Sequence, residues 1–198
     1  MYNAAMAVEL QTVDPWGPPQ QLGPYRESDY AQLPDEPRCE LLYGSLLVTP
    51  SPLVRHQLVL GRLHALFLSH AETNEGLTIL APMDVRLADH SIVQPDLIYV
   101  TPARREVIRE RIFGAPDLLI EILSPSTARR DRGAKMKLYA DSGVAEYWLV
   151  DPESETFEFL ENRDGAFVVR LPEDGIYTSR AVAELTLDLE AFWRGLPA

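Results

Sequence analysis

Short apolar runs bounded by turn residues set the rhythm of this chain from residue 39 onward. RCELLYGSLLVTP reads as two strands turning at Gly44-Ser45. From Leu53 to about Glu75 the apolar positions follow a helical period instead. Val59, Leu60, Leu63 and Phe67 share one face, and Gly76 closes the helix. LTILAPMDVRL and VQPDLIYV predict further strands, followed by a polar helical stretch, ARREVIRERI. DLLIEILS is the most apolar run, and its lack of alternation predicts a strand buried on both faces at a sheet centre. The turn at PST starts a helix that continues through Lys135 and Tyr139 to Gly143. AEYWLVD, TFEFLE and AFVVRL follow as strands separated by turns at Asp151-Pro152 and Asp164-Gly165, and LDLEAFW predicts a short closing helix. Upstream, Ser28 is a candidate N-cap for a short helix through Tyr30 and Leu33, ended by Pro34. Residues 1–24, with PWGPP and LGP, have little periodicity and read as a mobile or loosely docked extension. The pattern therefore predicts one α/β (α+β) domain over residues 25–198, a mixed central sheet flanked by helices.

Two acids interrupt this pattern. Asp96 follows Pro95 at the start of an apolar strand, and Glu121 lies inside the most apolar one. A carboxylate buried there is costly unless it is paired or holds a cation. Two such acids followed by a lysine form a minimal set for metal-assisted hydrolysis. Lys135 supplies the amine, in the helix that leaves the Glu121 strand. The chain has only two lysines, Lys135 and Lys137, against sixteen arginines. Where arginine is the default cation, a lysine suggests a site that needs a compact, rotatable ammonium.

Each position also has a purely structural reading. Asp131 and Tyr139 share the helix face of Lys135, so a solvated Asp131–Lys135 pair, worth ~0.3–0.5 kcal/mol, is the alternative for the lysine. Lys137 has the same alternative with Asp141. Glu40, in CELLYG, either reaches the acidic cluster from a neighbouring strand or stands on the surface of a hairpin. His56 falls on the apolar stripe of its helix, either as a core histidine or at a cleft. Asp84 suits a turn or strand end better than a site.

Composition narrows the setting. The net charge of -12 gives an acidic protein, which argues against tight nonspecific nucleic-acid binding, because such binding rests on a basic footprint. Two local basic clusters soften this: Arg104, Arg105, Arg109 and Arg111, then Arg129, Arg130, Arg132, Lys135 and Lys137. No apolar run approaches the ~20 residues of a bilayer span, and the N-terminus has neither the basic start nor the apolar core of a secretory signal. Cys39 is the only cysteine, which favours a reducing cytosol. A cytoplasmic protein without membrane contact is expected.

The segments around Gln94-Pro95-Asp96, EILSPST from Glu121, and GAKMKLYADSGVAEYWLVD resemble the Uma-two family of restriction-endonuclease-like bacterial proteins, within the PD-(D/E)xK nuclease superfamily. The similarity runs from about Tyr25 to the C-terminus and includes CELLYG with Glu40 and RHQLVLGRL with His56. It implies a restriction-endonuclease-like core and a Mg²⁺-dependent (or Mn²⁺-dependent) endonuclease acting on DNA. Asp96, Glu121 and the backbone carbonyl of Ile122 would be the metal ligands, with Lys135 at the attacking water and Glu40 and His56 in support. The superfamily pattern would put lysine where Leu123 stands. The resemblance implies that it has moved to Lys135 on the following helix, which leaves a catalytically degenerate binding or assembly module as the alternative. DNA is the expected partner, at low affinity given the acidic charge. A homodimer is expected because cutting two strands usually takes two sites, with a contact surface near Tyr147, Trp148 and Phe159.

Overall fold

The computed structural model describes residues 19–197, so most of the expected N-terminal extension lies outside the described residues. Helix α1 (Glu27–Tyr30) precedes a hairpin of β1 (Cys39–Leu42) and β2 (Ser45–Val48), then the long α2 (Val54–Asn74). Strands β3 (Leu77–Leu80), β4 (Val85–Ala88), β5 (Ser91–Val93), β6 (Leu97–Val100) and β7 (Ile112–Phe113) lead to β8 (Leu118–Ile122). After β8 come α3 (Ala128–Arg130), a π-helical segment (Asp131–Lys135) and α4 (Met136–Ser142) as one continuous helical run. Strands β9 (Glu146–Asp151), β10 (Thr156–Arg163), β11 (Ala166–Arg170), β12 (Ile176–Thr178) and β13 (Thr186–Asp188) precede α5 (Leu189–Trp193).

The strands form a six-stranded sheet, β11-β10-β9-β8-β6-β3, and a five-stranded sheet, β2-β1-β5-β4-β7, with β12 and β13 as a separate pair. Strand β8 runs parallel to β9 and antiparallel to β6, so the larger sheet is mixed, with β8 near its centre. Every residue of β8 is buried, as its unbroken apolar run predicts. Leu118, Ile120 and Ile122 pack with Val59, Leu63 and Phe67 of α2 on one face. Leu119 and Leu123 pack on the other face with Leu138 and Tyr139 of α4 and with Val85 and Val93 of the smaller sheet. Strand alternation sends Glu121 to that second face, between helix and smaller sheet.

Several sequence expectations shift. LTILAPMDVRL and VQPDLIYV each split between the two sheets. Pro82 and Pro95 lie between the halves; a residue without an N–H cannot sustain a ladder, and the chain crosses over there. Gln94-Pro95-Asp96 is thus a crossover and not a strand interior. The first hairpin turns at Tyr43-Gly44, one residue early, with Leu42 opposite Ser45. Both turn residues have positive φ, 50° and 79°, as a two-residue hairpin turn with matching twist requires. Helix α1 begins at Glu27 and not after Ser28, because the Asp29 carboxylate accepts from the Arg26 N–H at 2.8 Å. It also ends at Tyr30, well before Pro34. ARREVIRERI yields only a 3-10 segment, Pro102–Val107, and its last residue opens β7. Tyr147, Trp148 and Phe159 are buried to within 1%; they are core residues, so these side chains do not themselves form a contact surface.

Candidate functional site

The smaller sheet, the crossover before β6, strand β8 and the helical run after it meet in a cleft of about 430 Å³. Glu40, His56, Asp96, Glu121, Ile122 and Lys135 all line it. Lys135 is at its floor, only 2% exposed. Its Nζ donates to Glu121 Oε1 at 2.8 Å and lies 2.7 Å from Glu40 Oε1 and 3.9 Å from Asp131 Oδ1. Glu40 comes from β1, Glu121 from β8 and Lys135 from the π-helical segment, so three separate elements bring these groups together. Tyr139 OH also donates to Glu121 Oε1 at 2.8 Å, and the Gln94 N–H donates to Glu40 Oε1 at 2.7 Å.

Asp96 joins from the crossover. Its Oδ2 accepts from the Ile122 N–H at 2.7 Å, and its Oδ1 lies 3.1 Å from His56 Nε2. Those contacts place Asp96 beside β8 one residue from Glu121. Because the N–H and C=O of a strand residue point to the same edge, the Ile122 carbonyl lies along that edge too.

Glu40, Glu121 and Asp131 thus lie within 4 Å of the buried Lys135, and the half-buried Arg130 adds a second cation, its Nη2 3.7 Å from Glu40 Oε2. Burial pushes the Glu121 carboxyl up to about 8; Lys135 opposes the shift, while Asp131, Asp96 and Glu40 add to it. Burial likewise raises Asp131. Glu40 moves the other way, because Lys135, Arg130 and the Gln94 N–H outweigh its burial. Lys135 is held above its ordinary value by Glu121, Glu40 and Asp131 despite burial. Glu40 Oε2 and Asp131 Oδ1 are buried with no hydrogen-bond partner among the described residues, so two carboxylate oxygens of the cleft lack a donor from them.

The surface reading of Glu40 fails, since the residue is 1% exposed. The solvated Asp131–Lys135 pair fails for the same reason, with Asp131 at 1%. Helical periodicity gave the shared face correctly, but the π-helical segment lies against β8 and not in water. His56 stands at the cleft, on Asp96. Lys137 does pair with Asp141 on the surface. Asp84 accepts from Tyr30 OH, Gln94 Nε2 and Arg111, outside the cleft. Sequence reasoning gave Arg130, Tyr139 and Gln94 no role in the site; the basic cluster that contains Arg130 and the spacing of Tyr139 from Lys135 were the available signals.

Comparison with known proteins agrees with this architecture. The Uma2 family, described as "Putative restriction endonuclease", matches residues 27–196. A Synechocystis protein, "Uncharacterized protein slr1290", is 26% identical over 144 residues, covering 71% of this chain and 75% of its own. The crystal structure of "a putative nuclease belonging to DUF820" from Anabaena variabilis superposes with a TM-score of 0.71 at 21% identity, covering 85% of this chain and 97% of that one. That likeness concerns the fold, and it is the restriction-endonuclease-like core that the sequence resemblance implies. The family match spans most of the chain, which therefore belongs to the Uma2 family and shares its nuclease-like character.

Proposed function

We propose that the cleft hydrolyses phosphodiester bonds in DNA with the help of Mg²⁺ or Mn²⁺. The observation that carries this reading is the meeting of Glu40, Glu121 and Lys135, from three elements, beside Asp96 in one cleft. The donor chemistry suits a hard cation, because the available ligands are oxygens; the two buried carboxylate oxygens without hydrogen-bond partners among the described residues belong to the neighbouring Glu40 and Asp131. Among the described residues no three His, Cys, Asp or Glu side chains form a ready metal cage. Mg²⁺ tolerates this, because it keeps several waters and takes only one or two protein carboxylates. Asp96, Glu121 and the Ile122 carbonyl would hold it. Bound there, the ion would supply positive charge at the phosphoryl oxygens and acidify water.

The chain's own groups do the rest. The Lys135 ammonium, fixed by Glu40 and Glu121, would turn its remaining donor capacity to the attacking water and the negative charge that builds on the phosphoryl oxygens. Asp96 fixes the His56 ring, which then contacts a non-bridging phosphate oxygen. Tyr139 holds the Glu121 carboxylate in one orientation. The test is conversion of supercoiled plasmid to nicked or linear form by purified protein with Mg²⁺ or Mn²⁺. Cleavage that disappears in Glu121→Gln and Lys135→Met, while both remain folded, is the expected result; an inert wild type contradicts the reading.

A second reading, a binding or assembly module on the same fold, draws on one observation. Lys135 is almost fully enclosed by carboxylates, as in a purely structural ion pair. Calorimetric metal titration separates the two, because a module of that kind shows no binding dependent on Asp96.

A further inference from the structure

The cleft is acidic, so an anionic substrate needs at least one cation that the protein has not already neutralised. His56 and the basic residues that line it are Arg38, Arg55, Arg130 and Lys135. Arg55 is spent on the Pro152 carbonyl at 2.8 Å and on Glu155 at 2.6 Å. Arg130 faces Glu40 and Asp131, Lys135 faces Glu40 and Glu121, and His56 faces Asp96. Arg38 differs from all of these. Its guanidinium has no hydrogen bond or ion pair with any described residue, although the side chain is only partly exposed.

Position strengthens the case. Arg38 and Gln94 border both the cleft and a second cavity of about 440 Å³. Arg38 immediately precedes β1, two residues before Glu40, and its carbonyl accepts from the Thr49 N–H at 2.8 Å. Thr49 also lines the cleft, and its Oγ1 is buried with no partner among the described residues. Arg38 thus sits directly opposite Thr49 at the open end of the first hairpin, and its guanidinium has no partner among the described residues. The second cavity does not continue as a basic channel. Asp35 and Glu36 line it, and its other arginine, Arg111, is held by Asp84 at 2.8 Å.

We propose that Arg38 binds one phosphate of the substrate strand at the mouth of the cleft, next to the phosphodiester under attack. The inference rests on the nuclease reading and deepens it by naming a single substrate-binding contact. Guanidinium matches phosphate with two parallel N–H donors, a geometry that lysine lacks. The acidic second cavity confines the contact to one phosphate, so Arg38 sets affinity and register and leaves the chemical step to the groups on the floor.

Fluorescence anisotropy of a labelled 20-mer single strand, with Ca²⁺ present and KCl varied, tests this directly. Arg38→Ala should weaken binding about tenfold at low salt, as loss of one charged hydrogen-bonding contact implies. It should also flatten the plot of log affinity against log salt by about 0.7, the value of one phosphate contact. Arg38→Lys should keep the slope, because the charge remains. Arg38→Ala binding with wild-type affinity and slope overturns the inference while the nuclease reading stands. Wild-type protein that binds no strand at any salt concentration overturns both.

Discussion

Lys135 has three carboxylates within 4 Å and almost no contact with solvent. Removing the ammonium leaves buried acids facing one another. Truncating one partner of a buried ion pair typically costs about 3–5 kcal/mol. Lys135→Met should therefore lower the urea midpoint strongly. Glu121→Gln should cost less, because burial already disfavours its carboxylate and Lys135 keeps Glu40 as a partner. The double variant should recover part of the loss, giving a coupling of about 1–3 kcal/mol in a double-mutant cycle. Simple additivity would mean that the two side chains do not share one charge balance. This also shapes the activity test, since Lys135→Met must be assayed well below its own melting temperature. The Tyr139 hydroxyl is a smaller matter: Tyr139→Phe removes one hydrogen bond to Glu121, worth about 1 kcal/mol.

At the scale of elements, what positions the site is where the chain changes sheets and how its ends are tied. Most strands were legible, because apolar runs between turn residues need no tertiary information. The centrality of β8 followed from its unbroken apolar sequence. The division of VQPDLIYV between two sheets was not legible, since periodicity does not say which partner a strand will choose; only Pro95 hinted at a break. The burial of Glu40 and of Asp131 was hidden for a similar reason. Each side chain sits on an element whose local pattern suits solvent, and the opposing layer comes from distant sequence. Glu146, in the GVAEYWLVD string, makes a parallel case. Its carboxylate accepts from Trp148 Nε1, Tyr177 OH and Ser179 Oγ and from the N–H groups of Arg180 and Ala181. It thereby ties β12 and the segment after it to the central sheet. Glu146→Ala would leave several buried donors unpaired and should destabilise by at least ~3 kcal/mol. The loss should appear as early exposure of Trp148 in fluorescence-monitored unfolding, and an unchanged unfolding curve would refute the anchoring role. Gly44→Ala should also destabilise, by about 1–2 kcal/mol, from its positive φ. A Cβ there would in addition lie 2.3 Å from the Gly23 carbonyl oxygen.

At the scale of the molecule, charge is the organising fact. The chain carries a net charge of -12, and several of its carboxylates line the cleft. A protein of this kind gains from any divalent cation that the folded state binds and the unfolded state does not. At a hundredfold excess over its dissociation constant such an ion stabilises by about 2.7 kcal/mol. The melting temperature should rise with Mg²⁺ or Mn²⁺ in the wild type and stay flat in Asp96→Asn and Glu121→Gln. No helix among the described residues is long and apolar enough to cross a membrane. With few phosphate contacts, strand binding should be weak and should fall only gently as salt rises, because the slope scales with the number of contacts.

Electron paramagnetic resonance of Mn²⁺ during titration with protein probes the centre of this account, because bound ions leave the free-ion signal. The wild type should remove about one ion per chain, and Asp96→Asn or Glu121→Gln should leave the signal near that of Mn²⁺ alone. A wild-type chain that removes no Mn²⁺, or variants that remove it as well as the wild type does, would contradict a metal held between those two acids.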